Sequence, residues 1–312
     1  MCKETATASR KSQKEAPQGP PRLLLSLDSC AMEDQQPPPH PSIAYSGLMI
    51  VGGLVASEML LRFVLEQIQH LHPVLEPEVH RQILARHLGV DVLSLGILGW
   101  LGWQARHIVW GVVDEWLWGK KGAAKKAAYK SRLFTVHPEA TRIATFFFWY
   151  QVKNSYDTIV WNDGPEYVVH HIFSLFTSWV AIGPFFAHYY AVFYLALCEI
   201  STCVLCLLAN FDDEHGVPGL GEAFPLTKVV VGGAFVTLFI ICRCIAWPIY
   251  AYYFFNDATQ AFQEMDDRLT PQRQWWLKFL NISLSSLSLL QIVFLAQIFM
   301  IGKEELTRMG FI

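Results

Sequence analysis

The 312-residue chain lacks the features that mark several common classes of protein. Its formal net charge is only −3, which gives no support for nucleic-acid binding, so we expect no nucleic-acid partner. Its seven cysteines do not form the pattern of a disulfide framework. Internal repeats are lacking, as are the paired short, broken apolar segments typical of transporters. These absences direct attention to the apolar runs.

Long apolar runs are abundant. The chain is 53% hydrophobic, and its mean hydropathy is +0.28. A helix needs about 20 apolar residues to cross a membrane, and about seven runs mostly reach that length, with six or eight as alternatives. These runs are 43–63, 89–105, 142–161, 166–184, 186–209, 228–255 and 281–302. The sequence therefore predicts an all-α, polytopic transmembrane helix bundle.

The chain divides into a tail, a first span and a larger helical domain. Residues 1–42 are polar and rich in proline, which predicts a disordered tail. Residues 43–84 hold the first span and its connection, 85–303 the main membrane domain, and 304–312 a short C-terminal tail. The densest positive segment lies between residues 114 and 141, and the positive-inside tendency places it in the cytosol. Its basic residues include Lys120, Lys121, Lys125, Lys126, Lys130 and Arg132.

Ionisable side chains interrupt the apolar runs. His170 and His171 share one run, and Glu199 lies in the next. Asp157 lies in the run before the two histidines, and Arg243 lies in the run after Glu199. A charge at the centre of a bilayer costs roughly 2.5–3.5 kcal/mol on insertion scales. These side chains are therefore the first candidates for a functional site.

Polar side chains also form a stripe along the 186–209 helix. Glu199, Thr202, Cys203, Cys206 and Asn210 recur at steps of three and four residues, which places them on one side of a helix. Lipid cannot satisfy such a stripe, so it must face protein or a water-filled cavity. The two histidines are about 100° apart on their helix, and both could border one cavity or helix interface.

Two interpretations of these residues remain open. A carboxylate beside a histidine can fix its tautomer and raise its basicity, as needed for general-base or nucleophilic catalysis on an ester or thioester. This makes His170, His171, Glu199 and Asp157 candidate catalytic residues. The histidines could also form a metal site with Glu199, but adjacent histidines are awkward ligands on one helix, and we expect no metal.

The alternative interpretation is structural. Glu199 would then pair with Arg243, and Asp157 would pair with Lys153 one turn before it. The histidines would hydrogen-bond across helices.

Four short motifs give the chain a family resemblance. They are Ser-Tyr-Asp-Thr at 155–158, His-His at 170–171, Glu-Ile-Ser-Thr at 199–202, and Arg243 with Pro248. In this order and spacing the sequence resembles the TLC-domain family, over roughly residues 85–303. That membrane domain is shared by ceramide synthases, translocating-chain-associating membrane proteins and several TLC-domain-containing proteins.

The resemblance implies transmembrane helices around a central, lipid-sized cavity, in a protein of the endoplasmic reticulum. In ceramide synthases, paired histidines and two later aspartates are required to join the acyl group of acyl-CoA to a sphingoid amine. His170 and His171 match the histidine pair, whereas Glu199 and Thr202 stand near the aspartate positions. Glu-x-Ser-Thr instead resembles the smaller TLC-domain proteins, which are linked to membrane lipid composition.

We therefore expect a protein of lipid metabolism or membrane lipid homeostasis, with membrane lipid as its partner. One function is ceramide-synthase-like acyl transfer to a lipid amine, with acyl-CoA as co-substrate and no other cofactor. The alternative is binding, sensing or trafficking of lipid without catalysis. Arg243, Thr202 and Asn210 are the candidate lipid-binding residues.

Overall fold

The structure is a computed structural model that describes residues 42–118 and 125–308. Apart from Ser42, the tail that the sequence predicts to be disordered lies outside the described residues, as do Lys120, Lys121 and residues 309–312. Within the described part of the chain, all regular secondary structure is helical. This confirms the predicted all-α class.

The described residues form thirteen α-helices. They are α1 (Ile43–Gln67), α2 (Glu78–Arg86), α3 (Leu93–Gln104), α4 (Arg106–Trp118), α5 (Lys125–Phe134), α6 (Pro138–Trp161), α7 (Pro165–Ile182), α8 (His188–Val192), α9 (Glu199–Ala209), α10 (Leu220–Ala223), α11 (Pro225–Phe239), α12 (Trp247–Glu264) and α13 (Pro271–Arg308). Short 3₁₀ turns at Gln69–Leu71 and Pro73–Leu75 connect α1 to α2.

Within residues 42–118 and 125–308, three π-helical segments lie between consecutive α-helices. His87–Val92 joins α2 to α3, Phe193–Leu197 leads from α8 towards α9, and Ile240–Ala246 joins α11 to α12. A π-segment widens the helical turn and changes the direction of the side chains that follow it, and such segments are frequent at functional sites.

Five helical stretches in the described residues are long and apolar enough to cross a membrane. They are Ile43–Gln67, Glu78–Gln104, His188–Ala209, Pro225–Gln263 and Pro271–Lys303. They contain five of the seven predicted spans. The predicted span at 166–184 corresponds to a shorter apolar helix, Tyr167–Ile182. The predicted span at 142–161 lies in α6, whose charged side chains lower its hydropathy.

The outer surface of these helices is rich in large apolar side chains. Leu48 is 72% exposed, Leu226 is 75% exposed, and Phe299 is 70% exposed. Extended apolar surfaces of this kind are rare on soluble proteins and mark contact with membranes or partners. Together with the long apolar helices, they define a multi-pass integral membrane protein.

Helix α6 can carry polar side chains because it lies among other helices. It packs against α1, α3, α7 and α8, and Gln151, Lys153 and Asp157 on it are all buried. Protein can supply the hydrogen bonds and opposite charges that lipid cannot. A helix surrounded by protein can therefore carry these groups.

The α3 helix approaches the π-segment Phe193–Leu197 very closely at Gly102. A Cβ atom at this position would lie 2.8 Å from the Cβ of Ala196 and 3.0 Å from the backbone nitrogen of Leu197. Since a backbone atom cannot move away as easily as a flexible side chain, only glycine fits here without a shift of the helices.

A compact ionic turn connects α12 to α13. The Asp266 carboxylate accepts hydrogen bonds from Arg268 Nε at 3.0 Å and Nη2 at 3.1 Å, and Lys130 Nζ lies 3.1 Å away. The hydrogen bonds from Arg268 lower the pKa of Asp266 well below its usual range, and Lys130 adds to this effect. Because the folded pKa is lowered, the pairing stabilises the turn at neutral pH and is lost only as the pH falls through the acidic range.

Gly102→Val should lower the melting temperature of the purified protein, because the new side chain meets Ala196 and the backbone of Leu197. Overpacking of this kind costs roughly 1–3 kcal/mol. Gly96→Val is the matched control, because Gly96 on the same helix has open space around its Cβ position. Thermal unfolding in detergent measures both variants, and equal melting temperatures would contradict the close contact.

Candidate functional site

A cavity lies between α6, α7, α8, α9, α12 and α13, and the space of about 760 Å³ among its lining residues includes open solvent. Most of its wall is apolar, and Phe147, Val180, Leu195, Phe254 and Leu284 contribute to it. The polar lining side chains are His170, Ser174, Thr177, Tyr190, Tyr194, Glu199, Arg243, Trp247 and Ser283. The cavity therefore combines apolar walls with a small set of polar groups.

Arg243 reaches the cavity from the π-segment Ile240–Ala246. Its Nη2 donates to Glu199 Oε1 at 3.2 Å and to Thr202 Oγ1 at 2.8 Å, and its Nε donates to Ser201 Oγ at 3.4 Å. The guanidinium carbon also lies 5.2 Å from the centre of a Trp247 ring. Since the Arg243 and Glu199 side chains are only 10% and 13% exposed, this buried cation is neutralised by a buried carboxylate.

His170 and Tyr194 both line the cavity, and each carries one hydrogen-bonding atom that has no partner in the described part of the chain. The Nδ1 of His170 and the Oη of Tyr194 are both buried, and neither has a partner among the described residues. A buried polar atom without a partner costs roughly 1–3 kcal/mol. A molecule in the cavity that bonds to these atoms would recover that cost.

His171 is not among the residues that line the cavity. Its Nδ1 lies 2.7 Å from Oε1 of Gln151 on α6, and its ring centre lies 5.5 Å from that of His170. The two neighbouring histidines thus have different environments. One lines the cavity, and the other joins α7 to α6.

Asp157 belongs to an ion cluster outside the cavity lining. Lys153 Nζ donates to its two carboxylate oxygens at 2.7 and 2.6 Å. The same Nζ donates to Glu58 on α1 at 2.8 Å. This arrangement is the Asp157–Lys153 pairing of the structural interpretation, and it connects α6 to α1.

Asn210 also lies away from the cavity lining, at the C-terminal end of α9. Its Nδ2 donates to the carbonyls of Cys206 at 2.9 Å and Leu207 at 3.2 Å. Its Oδ1 lies 3.0 Å from Nδ1 of His87. The polar stripe is therefore divided between two sets of partners, because Glu199 and Thr202 contact Arg243 while Asn210 contacts His87.

Of the candidate residues, the structure brings together His170, Glu199, Thr202 and Arg243. It places His171, Asp157 and Asn210 in separate hydrogen-bonded clusters. In the described part of the chain, no group of three or more His, Cys, Asp or Glu side chains is arranged to hold a metal ion.

A second polar cluster at the cavity was not found by sequence reasoning. Arg132 on α5 binds Asp257 on α12 through Nε at 2.7 Å and Nη2 at 2.6 Å. Tyr190, which lines the cavity, donates to the same carboxylate at 2.5 Å. Asp257 lies just beyond the predicted span 228–255, where a charge is unremarkable, so the sequence carried no signal for this cluster. Tyr194 was missed because one tyrosine in an aromatic-rich helix does not stand out.

The fold and the cavity together define an all-helical, multi-pass membrane protein with a mostly apolar cavity among its helices. The family model described as TLC domain matches residues 100–300, which is about two thirds of the 312-residue chain. The chain therefore belongs to the TLC-domain family, and the resemblance seen in its motifs is confirmed. No curated protein and no solved structure matched the chain.

Asp257→Ala should destabilise the protein strongly, because it leaves the Arg132 guanidinium partly buried without its carboxylate. Removing one partner of a buried ion pair costs about 3–5 kcal/mol. Asp267→Ala is the matched control, because Asp267 is an exposed aspartate nearby in the chain. Thermal unfolding in detergent compares the two variants.

The double variant Arg132→Met/Asp257→Leu should regain most of the stability lost in Asp257→Ala, since it removes the uncompensated charge. A melting temperature of Asp257→Ala equal to that of Asp267→Ala would show that the Arg132–Asp257 contact does not hold α5 against α12.

Proposed function

We propose that the protein binds a membrane lipid in the cavity and acts in lipid metabolism or membrane lipid homeostasis in the endoplasmic reticulum. The observation that carries this proposal is the lining of the cavity, which is mostly apolar and also contains Arg243, Glu199 and His170. An amphipathic ligand fits such a lining, since its chain contacts the apolar side chains and its headgroup contacts the polar ones.

In this proposal the cavity lies at the centre of a seven-span bundle, with α6 and α7 as the two further crossings. A helix of 24 residues, such as α6, is roughly 36 Å long. One of 18 residues, such as α7, is roughly 27 Å long. Both lengths are close to the ~30 Å of the hydrocarbon layer. Close packing of α6 against four other helices supports its place inside the bundle.

A second function, acyl transfer from acyl-CoA to a lipid amine, is favoured by His170. His170 lines the cavity together with Glu199 and Arg243, and its buried Nδ1 has no partner among the described residues. His170 would accept a proton from the amine as the nitrogen attacks the thioester carbon. A carbon–nitrogen bond would form, the carbon–sulfur bond would break, and coenzyme A would leave as the thiol after protonation. Arg243 would stabilise the negative oxygen of the intermediate.

The other candidate residues contribute to this reaction only indirectly. Asp157 is paired with Lys153, and His171 is bonded to Gln151. Their hydrogen bonds support α6 and α7 rather than a reacting group. In the acyl-transfer proposal, His170 is therefore the one histidine that contacts the substrate.

Ser174→Phe should reduce the amount of lipid that remains bound after purification, because the new ring fills the cavity that Ser174 lines. We expect a fall of about tenfold, which corresponds to about 1.4 kcal/mol. Ser285→Phe is the matched control, since Ser285 is exposed on α13. Mass spectrometry of lipid extracts from equal amounts of folded protein measures the difference. Equal lipid in both variants would contradict binding in this cavity.

His170→Ala should abolish any acyl transfer, whereas His171→Ala should retain most of it after correction for the folded fraction. Loss of a general base typically lowers the rate by about 10²–10⁴-fold. Purified variants are assayed with acyl-CoA and lipid amines, and lipidomics of cells with matched expression tests the same pair. If both variants form product at the wild-type rate, His170 is not the general base. A lipid change that persists in both would favour binding without catalysis.

A further inference from the structure

Two residues that line the cavity, His170 and Tyr194, each carry a hydrogen-bonding atom without a partner in the described residues. The Oη of Tyr194 and the Nδ1 of His170 are both buried, and neither has a partner in the described part of the chain. Tyr194 is fixed in place, because its ring packs edge-on against Trp247 with ring centres 4.7 Å apart. A hydroxyl group can donate and accept, and an imidazole nitrogen can do one or the other. A ligand group that both donates and accepts hydrogen bonds would satisfy both atoms.

The charge at this end of the cavity is already balanced. Arg243 is bonded to Glu199 at 3.2 Å, and both side chains are largely buried. An anionic headgroup beside this pair would meet the Glu199 carboxylate, and a cationic one would meet the Arg243 guanidinium. Juxtaposed like charges are costly where water is excluded. The ion pair therefore disfavours a headgroup with net charge of either sign.

We infer that the cavity selects a lipid with a neutral headgroup that donates and accepts hydrogen bonds, such as a hydroxyl or an amide. The headgroup lies between Tyr194 Oη and His170 Nδ1, and lipids with an anionic phosphate are excluded by Glu199. This inference rests on the proposed binding of lipid in the cavity. It adds Tyr194 as a specificity-determining residue. In the same inference Glu199 neutralises Arg243 and thereby sets the net charge of the site.

Two probes with the same acyl chain test the selection. They are 1-monooleoylglycerol, which carries neutral hydroxyls, and 1-oleoyl lysophosphatidic acid, which adds a phosphate to the same glycerol. Native mass spectrometry of the full-length protein in detergent measures their binding at equal mole fractions. We expect the neutral probe to bind at least about tenfold more tightly. Equal or tighter binding of the phosphate probe would overturn the inference.

Tyr194→Phe removes only the hydroxyl, and it should weaken binding of 1-monooleoylglycerol roughly fivefold, as expected for one neutral hydrogen bond. Tyr252→Phe is the matched control, because Tyr252 is an exposed tyrosine on the same bundle. Unchanged binding to folded Tyr194→Phe would contradict the role of this hydroxyl.

Glu199→Gln tests the charge balance without depending on Tyr194. This change keeps the shape of the side chain and leaves Arg243 uncompensated, so the preference should reverse and favour lysophosphatidic acid by about tenfold. Glu222→Gln, at an exposed residue of α10, should keep the wild-type preference. A Glu199→Gln variant that still prefers the neutral probe would overturn the inference.

The same measurements distinguish failure of the proposed lipid binding from failure of the headgroup selection. If the cavity holds no lipid, neither probe binds to the wild type, and Ser174→Phe changes nothing. If the cavity holds lipid but selects it in another way, both probes bind. Ser174→Phe then weakens the binding about tenfold, while Tyr194→Phe and Glu199→Gln do not change the preference.

Discussion

The ion pair between Arg243 and Glu199 is the contact on which the cavity depends. Hydrocarbon offers no partner to a charged side chain, so the protein must supply one wherever a charge lies inside the membrane. Glu199, Thr202 and Ser201 on α9 supply it to a guanidinium that extends from the π-segment before α12. The pair connects these two helical stretches and places two charged side chains in the wall of a mostly apolar cavity.

The same constraint explains the other polar contacts of the bundle. Lys153 joins α6 to α1 through Glu58, and Gln151 joins α6 to α7 through His171. Arg132 joins α5 to α12 through Asp257. Each of these groups has its partner within the protein. His170 Nδ1 and Tyr194 Oη lack one in the described residues, and both line the cavity, which is where a ligand would complete the pattern.

Much of the fold could be predicted from sequence, because apolar runs report directly on contact with lipid. Five of the seven predicted spans coincide with long apolar helices. The hydropathy of helix α6 is a weaker indication of a membrane span, because it counts each charged residue as polar even where that residue is paired inside the bundle. The same reasoning identified Arg243 and Glu199 as candidates and proposed their pairing. It could not separate His170 from His171, since only the packing of α7 against α6 decides which of them lines the cavity. Tyr194 and Asp257 were missed because their importance depends on contacts between distant segments.

The most direct test is an experimental structure of the full-length protein in a lipid nanodisc, prepared without exchange of its native lipids. We expect elongated density along the apolar wall, with its polar end within hydrogen-bonding distance of Tyr194 Oη and His170 Nδ1 and with the Arg243–Glu199 pair intact. A collapsed cavity, in which Tyr194 and His170 bond to other side chains and no lipid density remains, would contradict this expectation.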